Sequence, residues 1–155
     1  MLTYHIYDTS LGKMLIAADQ WGIVHLHPAD AIDTEGMERG ETPLLRLAAQ
    51  KLKAYLKGEG DTLSDLPLSP RGTAFQKQVW EVLRTVPYGE TRSYAWLAQA
   101  IGKPRAARAV GGAVGKNTIL LAIPCHRIIG ANGSLVGFGG GLEMKKALLQ
   151  LEGAL

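Results

Sequence analysis

The sequence predicts an α+β protein built in two parts, a small N-terminal β-sheet with one helix and a mostly helical C-terminal half. Three observations predict it. Apolar and polar residues alternate in short runs up to Pro28, and apolar residues recur at helical spacing through most of the remainder. Residues 58–72, "GEGDTLSDLPLSPRG", are rich in Gly, Pro, Ser and Asp and read as a linker. The charge changes sign there. Residues 1–70 carry 6 Lys/Arg and 10 Asp/Glu, a net of −4, whereas residues 71–155 carry 11 and 4, a net of +7. A length of 155 residues suits one domain of ordinary size or two small ones. We expect two, an α/β domain with linker over 1–70 and a second domain over 71–155.

Each element has a local reason. "LTYHIYD" alternates as a strand, and "KMLIAAD" and "GIVHLHP" read as a second and a third, separated by the turns "TSLG" and "DQWG". Residues 28–42 are polar and acidic and read as a loop. Pro43, with Thr42 as N-cap, opens a helix over 43–57 that Gly58 ends. Leu44, Leu47, Ala48, Leu52, Tyr55 and Leu56 follow its spacing. Thr73 and Gln76 have capping-box spacing and start a helix with Phe75, Val79, Leu83 and Val86 on one face; Pro87 stops it. Ser93 caps "YAWLAQAIG", which ends at Gly102. Pro104 then opens a helix over 104–115. Two short helices joined at Gly-Lys, with Arg105 and Arg108 near the start of the second, read as a helix-turn-helix.

That second helix is nearly smooth, through Ala106, Ala107, Ala109, Gly111, Gly112 and Ala113. Small residues let a backbone come close to something, either another helix or a ligand. After Asn117, "TILLAIP" predicts an apolar strand, "ANGS" a turn, and "LEMKKALLQLEG" a closing helix with Met144, Leu148 and Leu151 inward.

Composition excludes several classes. The single cysteine, Cys125, rules out an internal disulfide and argues against a thiolate-rich metal centre, and it suits a reducing compartment. The N-terminus lacks a basic region followed by a long apolar run, so no signal peptide is expected, and no apolar run reaches the length of a membrane span. The basic C-terminal half suits a polyanion, nucleic acid foremost; an uneven but solvated surface reads the same way.

Cys125 lies in "IPCHRIIG" beside His126 and Arg127. A thiol attacks as its thiolate, and an ordinary cysteine is only a few per cent ionised near neutrality. It needs a base or a positive field. Neighbours on an extended chain point apart, so a Cys125–His126 relay requires a turn or a bridging water. A carboxylate orienting the histidine would come from Glu81, Glu90, Glu143 or Glu152. A bare Cys-His pair is more often a buried small side chain with a satisfied neighbour than a reactive site.

The wider context is more specific. "GTAFQKQVWEVLRTVPYGETRSY", "RAARAVGGAVGKN", "IPCHRIIG", "GGG" and "LLQLEG" closely resemble the O6-alkylguanine-DNA alkyltransferases, also called methylated-DNA–protein-cysteine methyltransferases, from about Gly72 to Gly153. Residues 1–70 resemble that family's variable N-terminal domain more weakly, through "SLGKMLIAAD". The resemblance implies a ribonuclease-H-like N-terminal lobe and a C-terminal lobe with a winged-helix or helix-turn-helix motif. It implies DNA repair in which a guanine alkylated on O6, or a thymine on O4, is flipped out and its alkyl group passes once, irreversibly, to the thiol.

The same resemblance implies the roles. Cys125 is the nucleophile and acceptor, His126 its base through a water, Glu152 the carboxylate behind the imidazole, and Asn117 the brace of the active-site strand. Tyr94, Phe138, Gly139 and the backbone carbonyl of Ile128 belong to the base pocket. Arg108 fills the gap left by the flipped base. Arg105, Ala106, Ala107, Ala109 and Gly111 face the minor groove, with Arg127 as a further DNA contact. No cofactor and no metal are implied; His5, His25 and His27 read as strand and loop residues. A monomer acting on double-stranded DNA in the cytoplasm, on the nucleoid and away from membranes, is expected. Thr118, Phe138 and Gly139 stand where the family commonly has Pro, Tyr and Ser. Two other classes remain open at this level: a DNA-binding module that senses lesions without reacting, and a cysteine hydrolase using Cys125, His126 and Glu152.

Overall fold

Strands β1 (Thr3–Thr9), β2 (Gly12–Ala18) and β3 (Ile23–Pro28) form an antiparallel meander in which Thr9 pairs with Gly12 across the first turn. The structure, a computed structural model, describes residues 1–155. The polar stretch 28–42 is more ordered than its composition predicts. It holds a single 3-10 turn at Ala29–Ala31 and a short strand β4 (Glu38–Arg39). β4 adds parallel to β1, with Glu38 N–H donating to the Leu2 carbonyl and Gly40 N–H to that of Tyr4, giving the order β3-β2-β1-β4. Backbone pairing needs no apolar side chains, so hydropathy did not reveal it.

Helix α1 (Pro43–Leu56) begins where its cap predicts, with Thr42 Oγ1 accepting from Leu45 N–H at 3.2 Å. Its buried face keeps Ala48, Leu52 and Tyr55 of the reading above and adds Leu45 and Ala49, packed against β1 and β2; Leu44 and Leu56 are half-buried and Leu47 is exposed. The face is recognisable as an i, i+3, i+4, i+7 stripe.

The stretch 58–72 is not a free linker. Leu63 and Leu66 are buried, and residues 67–69 run along β3, with Ile23 N–H donating to the Pro67 carbonyl and Ser69 N–H to that of Ile23. Gly22 permits this approach. A Cβ there would lie 2.6 Å from the Pro67 carbonyl oxygen, which is backbone and cannot swing aside. Gly22→Ala is expected to lower the urea midpoint by an amount equivalent to about 1–3 kcal/mol. An unchanged midpoint would show that the 67–69 segment does not seat on β3.

Residues Met1–Arg71 form one compact unit and Gly72–Leu155 a second. In the second, α2 (Ala74–Leu83) carries the full capping box. Gln76 N–H donates to Thr73 Oγ1 at 3.1 Å and Thr73 N–H to Gln76 Oε1 at 3.0 Å. α3 (Tyr94–Ala100) is capped by Ser93, and Gly102, at φ 76°, turns the chain out of it. α4 (Ala107–Gly115) starts three residues later than Pro104 predicts, because Pro104 and Arg105 are used in the turn and Ala106 becomes the N-cap. The Trp80 indole N–H donates to the Ala113 carbonyl at 2.9 Å and ties α2 to the end of α4.

"TILLAIP" is not a strand. The chain folds back tightly at Leu121, at φ 70°, with Ile123 N–H donating to the Ile119 carbonyl, and reaches a 3-10 turn at Cys125–Arg127. The apolar run is buried all round rather than laid on a sheet, so its composition matches a strand while its backbone does not. Only β6 (Ile128–Ile129) is extended, pairing parallel with β5 (Arg92–Ser93). α5 (Leu142–Leu151) closes the unit. Its inward residues are Lys145, Leu148 and Leu149, with Met144 and Leu151 only partly covered. No helix is long and apolar enough to cross a membrane.

Candidate active site

The 3-10 turn solves the geometric problem that an extended Cys-His pair poses. It places Cys125, His126 and Arg127 on successive positions of a tight coil, all buried. Asn117 braces the segment before it. Its side-chain oxygen accepts from Ile119 N–H at 2.9 Å, and its Nδ2 donates to the Ile123 carbonyl at 3.0 Å and to Cys125 Sγ at 3.2 Å. One amide thus fixes the backbone and the sulfur together.

Behind the turn lies a closed ionic cluster. His126 Nε2 sits 2.7 Å from Glu152 Oε2. Arg127 grips the same carboxylate, Nε to Oε1 at 2.8 Å and Nη2 to Oε2 at 3.0 Å, and gives Nη1 to the Val86 carbonyl at 2.9 Å. Gly89 N–H also donates to Glu152 Oε1, at 3.2 Å. Such a buried charge persists because each of its oxygens is occupied. The carboxylate selects the tautomer of His126 with its proton on Nε2, which leaves Nδ1 a lone pair. His126 Nδ1 is buried and has no protein partner. Burial holds the imidazole below its ordinary pKa, against the pull of Glu152, so it is neutral and able to accept a proton.

Cys125 opens onto a cavity of about 270 Å³. Tyr94 from α3, Gly111, Val114 and Gly115 from α4, and the loop Gly137–Gly139 complete its wall. Burial pushes the thiol up to about 11, against the Asn117 hydrogen bond and the Lys145 charge. Burial, with the Cys125 charge, also raises the phenol of Tyr94, which stays a donor. Such a thiol is almost wholly protonated at neutral pH.

Two family models divide the chain between them. Residues 2–70 match the 6-O-methylguanine DNA methyltransferase ribonuclease-like domain, and residues 74–154 match the DNA binding domain of the same family. The chain belongs to the 6-O-methylguanine DNA methyltransferases. It is 56% identical over 155 residues to the methylated-DNA–protein-cysteine methyltransferase of Mycobacterium bovis, covering 98% of this chain and 93% of that one. It is 44% identical over 154 residues to that of Haemophilus influenzae, covering 97% and 86%. A crystal structure of Mycobacterium tuberculosis OGT in complex with DNA superposes with a TM-score of 0.89 at 42% identity, over 98% of this chain and 93% of that one. The α+β class, with a ribonuclease-like part and a helical DNA-binding part, is therefore that of this methyltransferase family.

The structure brings Cys125, His126, Asn117 and Glu152 together, and places Tyr94, Phe138 and Gly139 around the cavity. Arg105 and Arg108 are exposed. Arg127 is not a surface residue in this methyltransferase. Only 3% of it is exposed, and it is spent on Glu152, Val86 and a stacking contact with the Tyr88 ring at 5.6 Å. The expected DNA contact is corrected to a buried counter-charge. In sequence, an arginine two positions from a lone cysteine carries no sign of burial. The reading also missed Lys145, whose side chain is fully buried, because a lysine on a helix is ordinarily a solvent residue.

The small residues of α4 divide between its two faces. Ala113 packs inward with Val110 and Val114, towards α2 and α3. Gly112 lies on the open face, as does Gly115 further along; a Cβ at either would meet nothing within 4 Å.

Proposed function

We propose that the chain repairs DNA by moving an alkyl group from O6 of guanine to Cys125, once per molecule. The observation that carries this is the thiol itself, opening onto a cavity beside a neutral histidine whose free nitrogen is backed by a buried carboxylate. Family membership supplies the DNA.

The chemistry follows from the geometry. Duplex DNA lies on the exposed face of α4, where Gly112 and Gly115 add no bulk and Arg108 reaches into the base stack as the damaged nucleotide turns out. The base enters the cavity, with Tyr94 donating to its ring. His126 Nδ1 takes the thiol proton through a water. Sulfur forms a bond to the alkyl carbon as the bond from that carbon to O6 breaks. The electron pair passes to guanine, which recovers a ring proton, so the charge balances. The product thioether has no route to hydrolysis. With Gly139 in place of a serine and Phe138 in place of a tyrosine, the cavity relies on backbone and Tyr94 for its hydrogen bonds. We place this activity in a monomer acting in the cytoplasm, where an unpaired thiol stays reduced.

Intact mass after incubation with excess duplex containing O6-methylguanine tests the reading. One methyl group, mapped to Cys125, is the expected result. An unchanged mass with the DNA still bound would leave a lesion-sensing module instead. The DNA face has its own test. Gly112→Leu is expected to weaken duplex binding by about tenfold or more by blocking close approach, without changing the fold. Arg108→Ala is expected to slow transfer more than it weakens binding, since flipping costs a few kcal/mol that the arginine offsets in part. Fluorescence anisotropy and single-turnover transfer, read side by side, check both. Wild-type binding by Gly112→Leu would remove α4 from the interface.

A further inference from the structure

Lys145 is the buried charge for which the alkyl-transfer mechanism has no use. It lies on the inward face of α5 with no measurable exposure. A buried ammonium normally sits against a carboxylate. This one donates only to backbone: to the Ile128 carbonyl at 2.5 Å, to that of Val136 at 2.6 Å and to that of Gly137 at 3.3 Å. Those carbonyls belong to two separate segments, one following Cys125 and one entering the cavity wall at Gly137. Ile128 begins β6, immediately after the 3-10 turn that holds Cys125. Val136 and Gly137 lead into Phe138 and Gly139 of the cavity wall, in a stretch with no helix or strand of its own.

We propose that Lys145 is a positioning residue for alkyl transfer, its ammonium clamping the pocket loop 136–139 to the backbone beside Cys125. The inference rests on the alkyl-transfer reading. The loop has three glycines among residues 137–140, so its ordering must come from outside its own sequence. Its side-chain packing is limited to the Phe138 ring, edge-on to His126 at 6.3 Å between centroids, since Val136 is 39% exposed. A three-pronged cation is suited to holding two chain segments by their carbonyls. It can do so only while charged, and its burial disfavours that charge. The thiolate formed during the reaction favours it. The charged or titratable groups around this centre are Cys125, Tyr94, His126, Arg127 and Glu152; the last three neutralise one another within their cluster, which leaves Lys145 to face the sulfur.

Lys145→Met keeps most of the stem and removes the ammonium; Lys145→Arg keeps a charge of different shape. In Lys145→Met, amide hydrogen exchange over residues 134–140 is expected to rise while exchange in β1, β2 and α1 stays as it was. Single-turnover methyl transfer is expected to fall about 10- to 100-fold, the cost of a slightly misplaced reacting group. Affinity for the lesion duplex is expected to hold, and Lys145→Arg to recover part of the rate. Iodoacetamide, which counts thiolate without needing DNA, is expected to react more slowly with Lys145→Met at each pH. That readout separates a failed clamp from a failed repair assignment, because it does not depend on methyl transfer. A folded Lys145→Met with wild-type exchange at 134–140 and wild-type transfer overturns the proposal. Should Lys145→Met not fold, the wild-type protein decides by NMR of its lysine side chains. The Lys145 ammonium protons are expected to exchange slowly with solvent, held by the carbonyls of Ile128 and Val136. Exchange as fast as that of an exposed lysine overturns the proposal.

Discussion

Cys125→Ala abolishes methyl transfer and leaves binding to lesion-bearing duplex intact. Both halves of this expected result have a physical reason. Cys125 is the only thiol in the chain, so no second nucleophile of its kind can take over. The substitution removes one buried sulfur and leaves a small void, a cost of about 1 kcal/mol. Asn117 is not stranded by the loss, because its Nδ2 keeps the Ile123 carbonyl at 3.0 Å. The site therefore keeps its shape. The groups assigned to DNA, Arg108 and the open glycines of α4, lie on another element and are untouched. Measured by transfer of label from O6-methylguanine duplex and by anisotropy on the same DNA, the variant should be inert and tight. Residual stoichiometric transfer would refute Cys125 as acceptor. Loss of binding would mean that the sulfur contributes to base capture rather than to chemistry alone.

The second large effect is expected at Glu152. Glu152→Gln changes few atoms, yet it leaves the Arg127 guanidinium, itself almost fully buried, without a counter-charge. Breaking a buried pair from one side typically costs about 3–5 kcal/mol, much more than an exposed pair. The same change frees the imidazole of His126 from the carboxylate at 2.7 Å that fixes its tautomer. Stability and transfer should fall together, read by urea denaturation and by single-turnover rate. A companion variant separates the two losses. Arg127→Leu added to Glu152→Gln removes the stranded charge and should restore part of the stability without restoring the rate. A loss below about 1 kcal/mol in Glu152→Gln would show that the cluster is solvated and that its burial means little.

Much of this protein is legible in its residues because those features are local. The Thr42 and Thr73 caps, the Ser93 cap and the turns that join β1 to β3 depend on neighbours within a few positions, and each forms as expected. The same is true of "IPCHRIIG" in its setting, whose residue types announce thiol chemistry and whose likeness to a family names the reaction.

What only the tertiary structure decided is what depends on distant partners. "TILLAIP" has a strand's composition, but the Asn117 side chain accepts from the Ile119 N–H and donates to the Ile123 carbonyl, and so holds it curled back in a turn. Arg127 and Lys145 look like surface charges until Glu152 and the carbonyls of residues 128, 136 and 137 are brought to them. β4 exists because β1 has a free edge to pair with. The small residues of α4 permit two partners in sequence, and only the packing of Val110, Ala113 and Val114 shows which face is taken and which is left open. By itself the sequence determined where the chain's one thiol stands and how α1, α2 and α3 begin. Folding decided which charges are buried, because burial is a property of where the rest of the chain goes.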